Sequence, residues 1–290
     1  MIISVASGKG GTGKTSVAVA LAQSLDGPVD LLDCDVEAPN AHLFLNIQWE
    51  RKETLYLEVP QVDESKCTHC RACSQLCQFK AILVLGETIL TFPEMCHACG
   101  GCFRVCEPRA LLPGKKELGT VAQGEAGGIR LVQGELKIGE PLSPPLIREV
   151  KKRGLPQRLT LIDAPPGTSC PVIQAVKDSD FCLLVTEPTP FGLYDLRLAV
   201  EALKILQIPR GVVLNRADMG DEQVRRYLEN EGIPLLLEIP FDRRIAEGYA
   251  RGKSLLEVKP EMKADFQELL RKITAQAQPE PRGGRCPPLK

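Results

Sequence analysis

The chain opens on a short continuous apolar run, Met1 to Ala6 with Ile2, Ile3 and Val5. That pattern predicts a strand buried on both faces. After a glycine-rich stretch, Val17 to Ala22 is again apolar and reads as a helix. Short apolar runs then recur at Pro28 to Leu32, Leu159 to Asp163, Phe181 to Thr186, Gly211 to Leu214 and Leu235 to Ile239. Helical patterns alternate with them, from about Leu146 to Lys152, Leu193 to Leu206 and Glu261 to Ala277. The last carries Met262, Phe266, Leu269, Leu270 and Ile273 as a one-sided stripe. Strand and helix in alternation predict an α/β fold, a mostly parallel sheet covered on both faces.

Other stretches depart from this rhythm. Ala41 to Asn46 has room for a short helix, and Trp49 is read as a packing residue. Arg51 to Val62 alternates loosely (Leu55, Leu57, Val59), which suits an edge strand. Gly114 to Gly139 is glycine-rich with short alternating pieces, and it predicts one or two hairpins.

Composition sharpens the picture only in places. At 290 residues, about two domains are expected. A net charge of −1, with no basic cluster among aromatics, argues against a nucleic-acid surface. The run Lys151-Lys152-Arg153 is a solvated helix end. No apolar stretch approaches the ~18 residues needed to span a bilayer. The apolar N-terminus runs straight into a glycine loop, unlike a signal peptide, so a cytoplasmic protein is expected. Twelve cysteines are too many for such a chain unless they hold metal.

The glycine loop is Ser7-Gly8-Lys9-Gly10-Gly11-Thr12-Gly13-Lys14-Thr15-Ser16. Gly8, four residues, then Gly13-Lys14-Thr15 is the P-loop pattern, in its strand–loop–helix setting. Backbone N–H groups and a helix N-terminus converge there on phosphate oxygens. Lys14 reaches the β- and γ-phosphates, and the Thr15 hydroxyl binds Mg²⁺. Asp163, ending its apolar run, is the Walker B acid expected to hold the same ion. Asp33 and Asp35 close the second strand, where an acid beside a phosphate site can position water or metal.

The extra lysine, Lys9, narrows the class. Lys9-Gly-Gly-Thr-Gly-Lys14-Thr resembles the deviant Walker A loop of the MinD/ParA/nitrogenase-iron-protein ATPases. Asp33-x-Asp35-x-x-x-Pro39-Asn40 resembles their switch I, and Asp163-Ala-Pro-Pro-Gly-Thr168 the switch II of MinD and the Mrp-type cluster carriers. The resemblance implies an ATP-dependent homodimer, or a heterodimer with a related ATPase, in which Lys9 reaches the partner's phosphates. It implies that Asp35 orients the attacking water and that Gly167 offers its N–H to a γ-phosphate. Asn215 would read adenine, with Pro240 and Asp242 on the segment closing over the base. Cys170 stands seven residues past Asp163, the offset of a cluster-ligating cysteine in the nitrogenase iron protein. A buried or helix-capping Cys170 is the favoured reading against a thiol at a dimer face. MinD proteins end in an amphipathic membrane helix, whereas residues 279–290 here are polar and proline-rich, predicting a disordered tail and no membrane targeting.

Eight cysteines form a doubled run. Cys67-x2-Cys70-x2-Cys73-x3-Cys77 is repeated as Cys96-x2-Cys99-x2-Cys102-x3-Cys106. All-thiolate x2-x2-x3 spacing is not that of a zinc knuckle. It resembles the bacterial two-cluster ferredoxins, in which the fourth cysteine of each run crosses to the other cluster. That likeness implies one 4Fe–4S cluster on Cys67, Cys70, Cys73 and Cys106, and a second on Cys96, Cys99, Cys102 and Cys77. The proline that usually follows the fourth cysteine is Gln78 in the first run and is displaced to Pro108 in the second. His69 and His97 are read as solvated.

The whole resembles a MinD-like P-loop ATPase, residues 1–59 and 114–278, with an inserted ferredoxin-type domain at 60–113. The implied cofactors are ATP, Mg²⁺ and two 4Fe–4S clusters, and the implied activity is slow Mg-dependent ATP hydrolysis. Three functions stand open: cluster or metallocofactor assembly and delivery, ATP-gated electron donation to a redox partner, and positioning in the manner of ParA. The first two imply a protein client or redox partner.

Overall fold

The structure is a computed structural model and describes residues 1–277. The expected tail, 279–290, and Cys286 lie outside the described residues. Strand β1 (Ile2–Ala6), helix α1 (Lys14–Ser24) and strand β2 (Val29–Asp33) open the chain. Strand β3 (Gln48–Val62) then runs out to α2 (Ala72–Leu76), the hairpin β4 (Ile82–Leu85) and β5 (Thr88–Thr91), and α3 (Gly101–Val105). Strand β6 (Leu111–Ala126) returns and turns into β7 (Ile129–Leu136). Next come α4 (Ser143–Lys151), β8 (Leu159–Asp163), α5 (Cys170–Val176), β9 (Phe181–Thr186), α6 (Pro190–Ile205) and β10 (Arg210–Asn215). Finally α7 (Gln223–Glu231), β11 (Leu235–Ile239), α8 (Arg243–Tyr249), α9 (Leu255–Val258) and α10 (Lys263–Gln276) complete the described chain.

The main sheet has nine strands in the order β11-β10-β9-β1-β8-β2-β7-β6-β3. Every pairing from β11 to β7 is parallel, and β7–β6 and β6–β3 are antiparallel. Alternate residues of each central strand feed opposite cores, as a pleat requires. Phe181, Leu183 and Val185 pack under α1 and α10, whereas Cys182 and Leu184 face the α4–α7 side. Helix α1 is buried nearly all round, from Val17 to Ala22. Burying each large side chain contributes about 1.5–3 kcal/mol, so both faces are firmly held to the sheet.

The edge is unlike the centre. Strand β6 pairs with β7 only from Gly119 to Ala126, and its first half pairs with β3 alone. A two-stranded ribbon therefore projects from the sheet, with the Cys-rich segment 63–110 at its tip. That segment has its own small core of Ile82, Val84 and Ile89, closed by Leu111 at the start of β6.

Several boundaries differ from expectation. The edge strand begins at Gln48, whereas the glycine-rich region forms a hairpin as expected, with β6 turning at Gly127 and Gly128 into the antiparallel β7. Pro144 and Pro145 lie inside the first turn of α4, where a missing N–H is harmless. Helix α7 escaped the pattern because only Val224 and Leu228 are buried on it. Trp49 is 47% exposed, so it is not the packing residue expected.

Candidate functional site

The loop between β1 and α1 is shaped by its glycines. Gly13 adopts φ +94°, and a Cβ there would stand 2.6 Å from Asn215 Nδ2. A Cβ on Gly8 would collide with the Asp195 backbone of α6. Lys14 and Thr15 head α1, and Lys14 is buried. The Thr15 hydroxyl donates to Asp163 Oδ2 at 2.6 Å, which ties the helix start to the end of β8.

Two acids meet under the loop, since Asp33 and Asp163 are register partners on β2 and β8. Burial pushes the Asp163 carboxyl up to about 7, although the Thr15 hydrogen bond and the Lys14 charge pull the other way. Its Oδ1 has no partner. A buried carboxylate oxygen beside a threonine hydroxyl fits Mg²⁺, which would supply the missing countercharge and otherwise bind phosphate oxygens and water. Asp33 was named only as part of a pattern, yet it builds switch I. Its carboxylate accepts from the N–H groups of Asp35, Asn40 and Ala41 at 3.1–3.2 Å. Burial, then the Asp163 charge, raises the Asp33 carboxyl well above its usual range. Asp35 lines the cleft and is raised by burial, with Lys14 opposing.

The cleft above the loop encloses about 400 Å³. Gly10, Gly11, Gly13, Lys14, Thr15 and Ser16 form its phosphate end. Asn215, Pro240 and Asp242 stand at the other end, with Ile245, Tyr249 and Leu255 as an apolar wall that motif reasoning did not identify. Asn40, with an unpartnered Oδ1, also lines it and was missed as a single residue.

Other expected residues sit differently. Gly8 and Thr12 are not among the residues lining the cleft, and the Gly167 amide donates to Ser7 O at 3.0 Å. Pro166, not Gly167, is the switch II residue at the cleft. The φ of +97° at Gly167 accompanies this turn of its N–H toward the loop backbone. The Asn215 amide donates to Thr12 O at 2.8 Å and its Oδ1 accepts from Arg216 N, so it braces the loop. Asp242 caps α8 and pairs with Arg244 and Lys259, and those hydrogen bonds hold its carboxyl well below the usual range. Lys9 pairs with Glu187 of its own chain at 3.5 Å. Cys170 is exposed at the start of α5, neither buried nor the cap, because that helix buries Val172, Ala175 and Val176 instead.

The Cys-rich segment presents two small cavities. Cys67, Cys70, Cys73 and Cys106 line one, and Cys77, Cys96, Cys99 and Cys102 line the other. Left-handed backbone recurs at matching offsets in the two runs: His69 and Ala98, Arg71 and Gly100, Lys80 and Arg109. Non-glycine residues there are held against an unfavourable conformation. Backbone N–H groups of Ala81, Ala98 and Ala110 donate to Cys77, Cys96 and Cys106 Sγ at 3.2–3.4 Å. Among the described residues, no group of three or more His, Cys, Asp or Glu converges as ligands of one ion. Four thiols around a small cavity, with amides aimed at sulfur, fit a polynuclear cluster better than a lone cation.

A phosphate-shaped loop, a threonine tied to a buried acid and an open cleft at the carboxyl ends of parallel strands define a P-loop nucleotide-binding protein. Residues 3–256 match the CobQ/CobB/MinD/ParA nucleotide binding domain. The chain belongs to that family, whose MinD and ParA branches are ATPases. Two uncharacterized proteins of Methanocaldococcus jannaschii are 30% and 32% identical, over 89% and 94% of this chain and 92% and 96% of their own. An iron-sulfur cluster carrier protein of Pyrococcus abyssi is 24% identical over 84% of this chain and 75% of its own. The fold is shared with MinD of Pyrococcus horikoshii complexed with Mg-ADP, at TM-score 0.56 and 23% identity, covering 94% of this chain and 95% of that one. No helix among the described residues is long and apolar enough to cross a membrane.

Proposed function

We propose that this ATPase couples its nucleotide state to two 4Fe–4S clusters carried on the ribbon, in assembly or delivery of clusters or metallocofactors. The observation carrying this reading is the pair of cavities, each lined by four cysteines in the crossed arrangement. The ribbon gives the coupling its route. Strand β3 follows switch I, and β6 leads through β7, which pairs with β2, the strand that ends in Asp33.

In this reading Lys14 and the loop amides hold the triphosphate, and Asp35 orients water toward it. Thr15 and Asp163 hold the magnesium. Lys9 acts on the phosphates of a second subunit, where a cation stabilises developing charge. The clusters, when bound, supply one-electron chemistry or serve as cargo. Likeness to proteins named iron-sulfur cluster carriers supports the cargo role. The second reading, an ATP-gated electron donor, is favoured by a ligand spacing that suits stable, redox-active clusters. Anaerobic preparations should be brown, with about eight iron per chain. Incubation with apo-acceptor and ATP should then move iron to the acceptor. Retained iron, with reduced clusters that pass electrons to an added redox dye only when ATP is present, would support the electron donor, and stoichiometric zinc without iron would overturn both.

A further inference from the structure

The Glu187 carboxylate lies just beyond β9 and is 7% exposed. Two cations share it. Arg216 Nη1 donates to Oε1 at 2.7 Å, whereas Lys9 Nζ stands 3.5 Å from Oε2. The first is a short charge-assisted hydrogen bond, and the second is a looser ion pair. Arg216 also lines the nucleotide cleft, and its backbone N–H donates to Asn215 Oδ1 at 3.0 Å. Asn215 in turn holds Thr12 O of the phosphate loop. Two residues further on, Asp218 Oδ1 accepts the Phe241 N–H at 2.6 Å, on the wall at the other end of the cleft. The turn after β10 thus joins the base end of the cleft, the phosphate loop and the partner of Lys9.

We infer that Glu187 is the positioning residue for Lys9: it holds this lysine against its own chain, and Arg216 sets how tightly. The inference rests on the reading of Lys9 as a group that acts on a second subunit's phosphates. A lysine spent on its own chain's carboxylate is not available to a partner, so each subunit must break the Lys9–Glu187 pair to associate. Arg216 draws charge from the same carboxylate and loosens that pair. Neutralising Glu187 should therefore release Lys9, and removing Arg216 should tighten its hold. The two substitutions act in opposite directions on one lysine, whereas a merely structural role would weaken association in both.

The test is ATP-dependent self-association of the full chain, followed by sedimentation with a non-hydrolysable ATP analogue. ADP affinity is measured alongside to separate nucleotide binding from association. Glu187→Gln should strengthen association about fivefold per subunit, the scale of a partly exposed ion pair. Arg216→Ala should weaken association beyond any change in ADP affinity. In a Lys9→Ala background, Glu187→Gln should have no effect, because the cycle then lacks the interacting side chain. If Lys9→Ala alone leaves association unchanged, the reading of Lys9 fails. If Lys9→Ala abolishes association but Glu187→Gln weakens it or leaves it unchanged, the Glu187 assignment alone is overturned.

Discussion

The nucleotide-binding body and the Cys-rich segment at the ribbon tip are held together by different means. The body is a nine-stranded sheet between two layers of helices, with Phe181, Phe266, Ile3, Leu21 and Leu161 essentially inaccessible. The tip has two helices of five residues each and a two-stranded hairpin, and Ile82 is its large fully buried side chain. Leu76, Phe79, Leu85, Leu90 and Met95 are more than 40% exposed there. So small a core supplies little stability, and natural scaffolds of this size rely on metal or disulfides. Its cysteines are free, and the left-handed residues around them need something to hold them. The body folds on its apolar surface; in the reading proposed above, the tip folds on what its thiols bind.

The largest expected effect breaks that contrast outright. Removing iron anaerobically with a chelator should abolish amide protection across residues 63–110 and leave β1, β8 and β9 protected. Hydrogen exchange read by mass spectrometry checks it, and a tip that stays protected without iron would show that its own core suffices.

Next comes the acid buried in the body. The Asp163 carboxyl sits at about 7 in the folded chain, against an ordinary value of 3.8. The folded state therefore binds the extra proton, and its stability falls as pH rises from about 4 through 7, by on the order of 4 kcal/mol. Denaturant titration of nucleotide-free protein across that range should reveal the slope. Asp163→Asn should reduce it, leaving the part that the raised Asp33 carboxyl contributes, and Mg-ATP should flatten it by favouring the ionised form.

Lys14→Ala should reduce ATP affinity roughly 100-fold, about 3 kcal/mol, by removing a charge-assisted contact to phosphate. Calorimetry measures this, and iron content should not change, because Lys14 lines the nucleotide cleft and neither of the cysteine-lined cavities. Smallest is Ser254→Ala. It removes the capping box of α9, whose Leu255 walls the cleft, and should cost the body about 1 kcal/mol. Thermal melts of the body should shift by a few degrees while the tip's visible absorption is retained.

What was legible in the sequence divides along the same line. Asp163 ends a pure apolar run, and Lys14 sits in a loop whose glycines are geometrically required, so motif and structure coincide there. The doubled cysteine run, through its likeness to two-cluster ferredoxins, implies the grouping of thiols that the two cavities show. Roles that depend on a partner far along the chain were not legible. Glu187 meets Lys9 only once β9 lies beside β1. The amide of Asn215 is committed to Thr12, 203 residues away. Gly167 turns its N–H toward Ser7, and no local pattern marks that choice.

The central claim is that nucleotide state and clusters share one free energy. Its most direct test is an EPR-monitored redox titration of the full chain with no nucleotide, with ADP and with a non-hydrolysable ATP analogue. The account predicts that the analogue shifts the cluster equilibrium, a tenfold change corresponding to about 59 mV for a one-electron couple. By linkage, cluster oxidation must change ATP affinity by the same factor. Chelator access to iron, followed in the same samples, tells a shift with iron retained from release. Identical potentials and identical iron release in all three states would contradict the account, leaving two modules that merely share a chain.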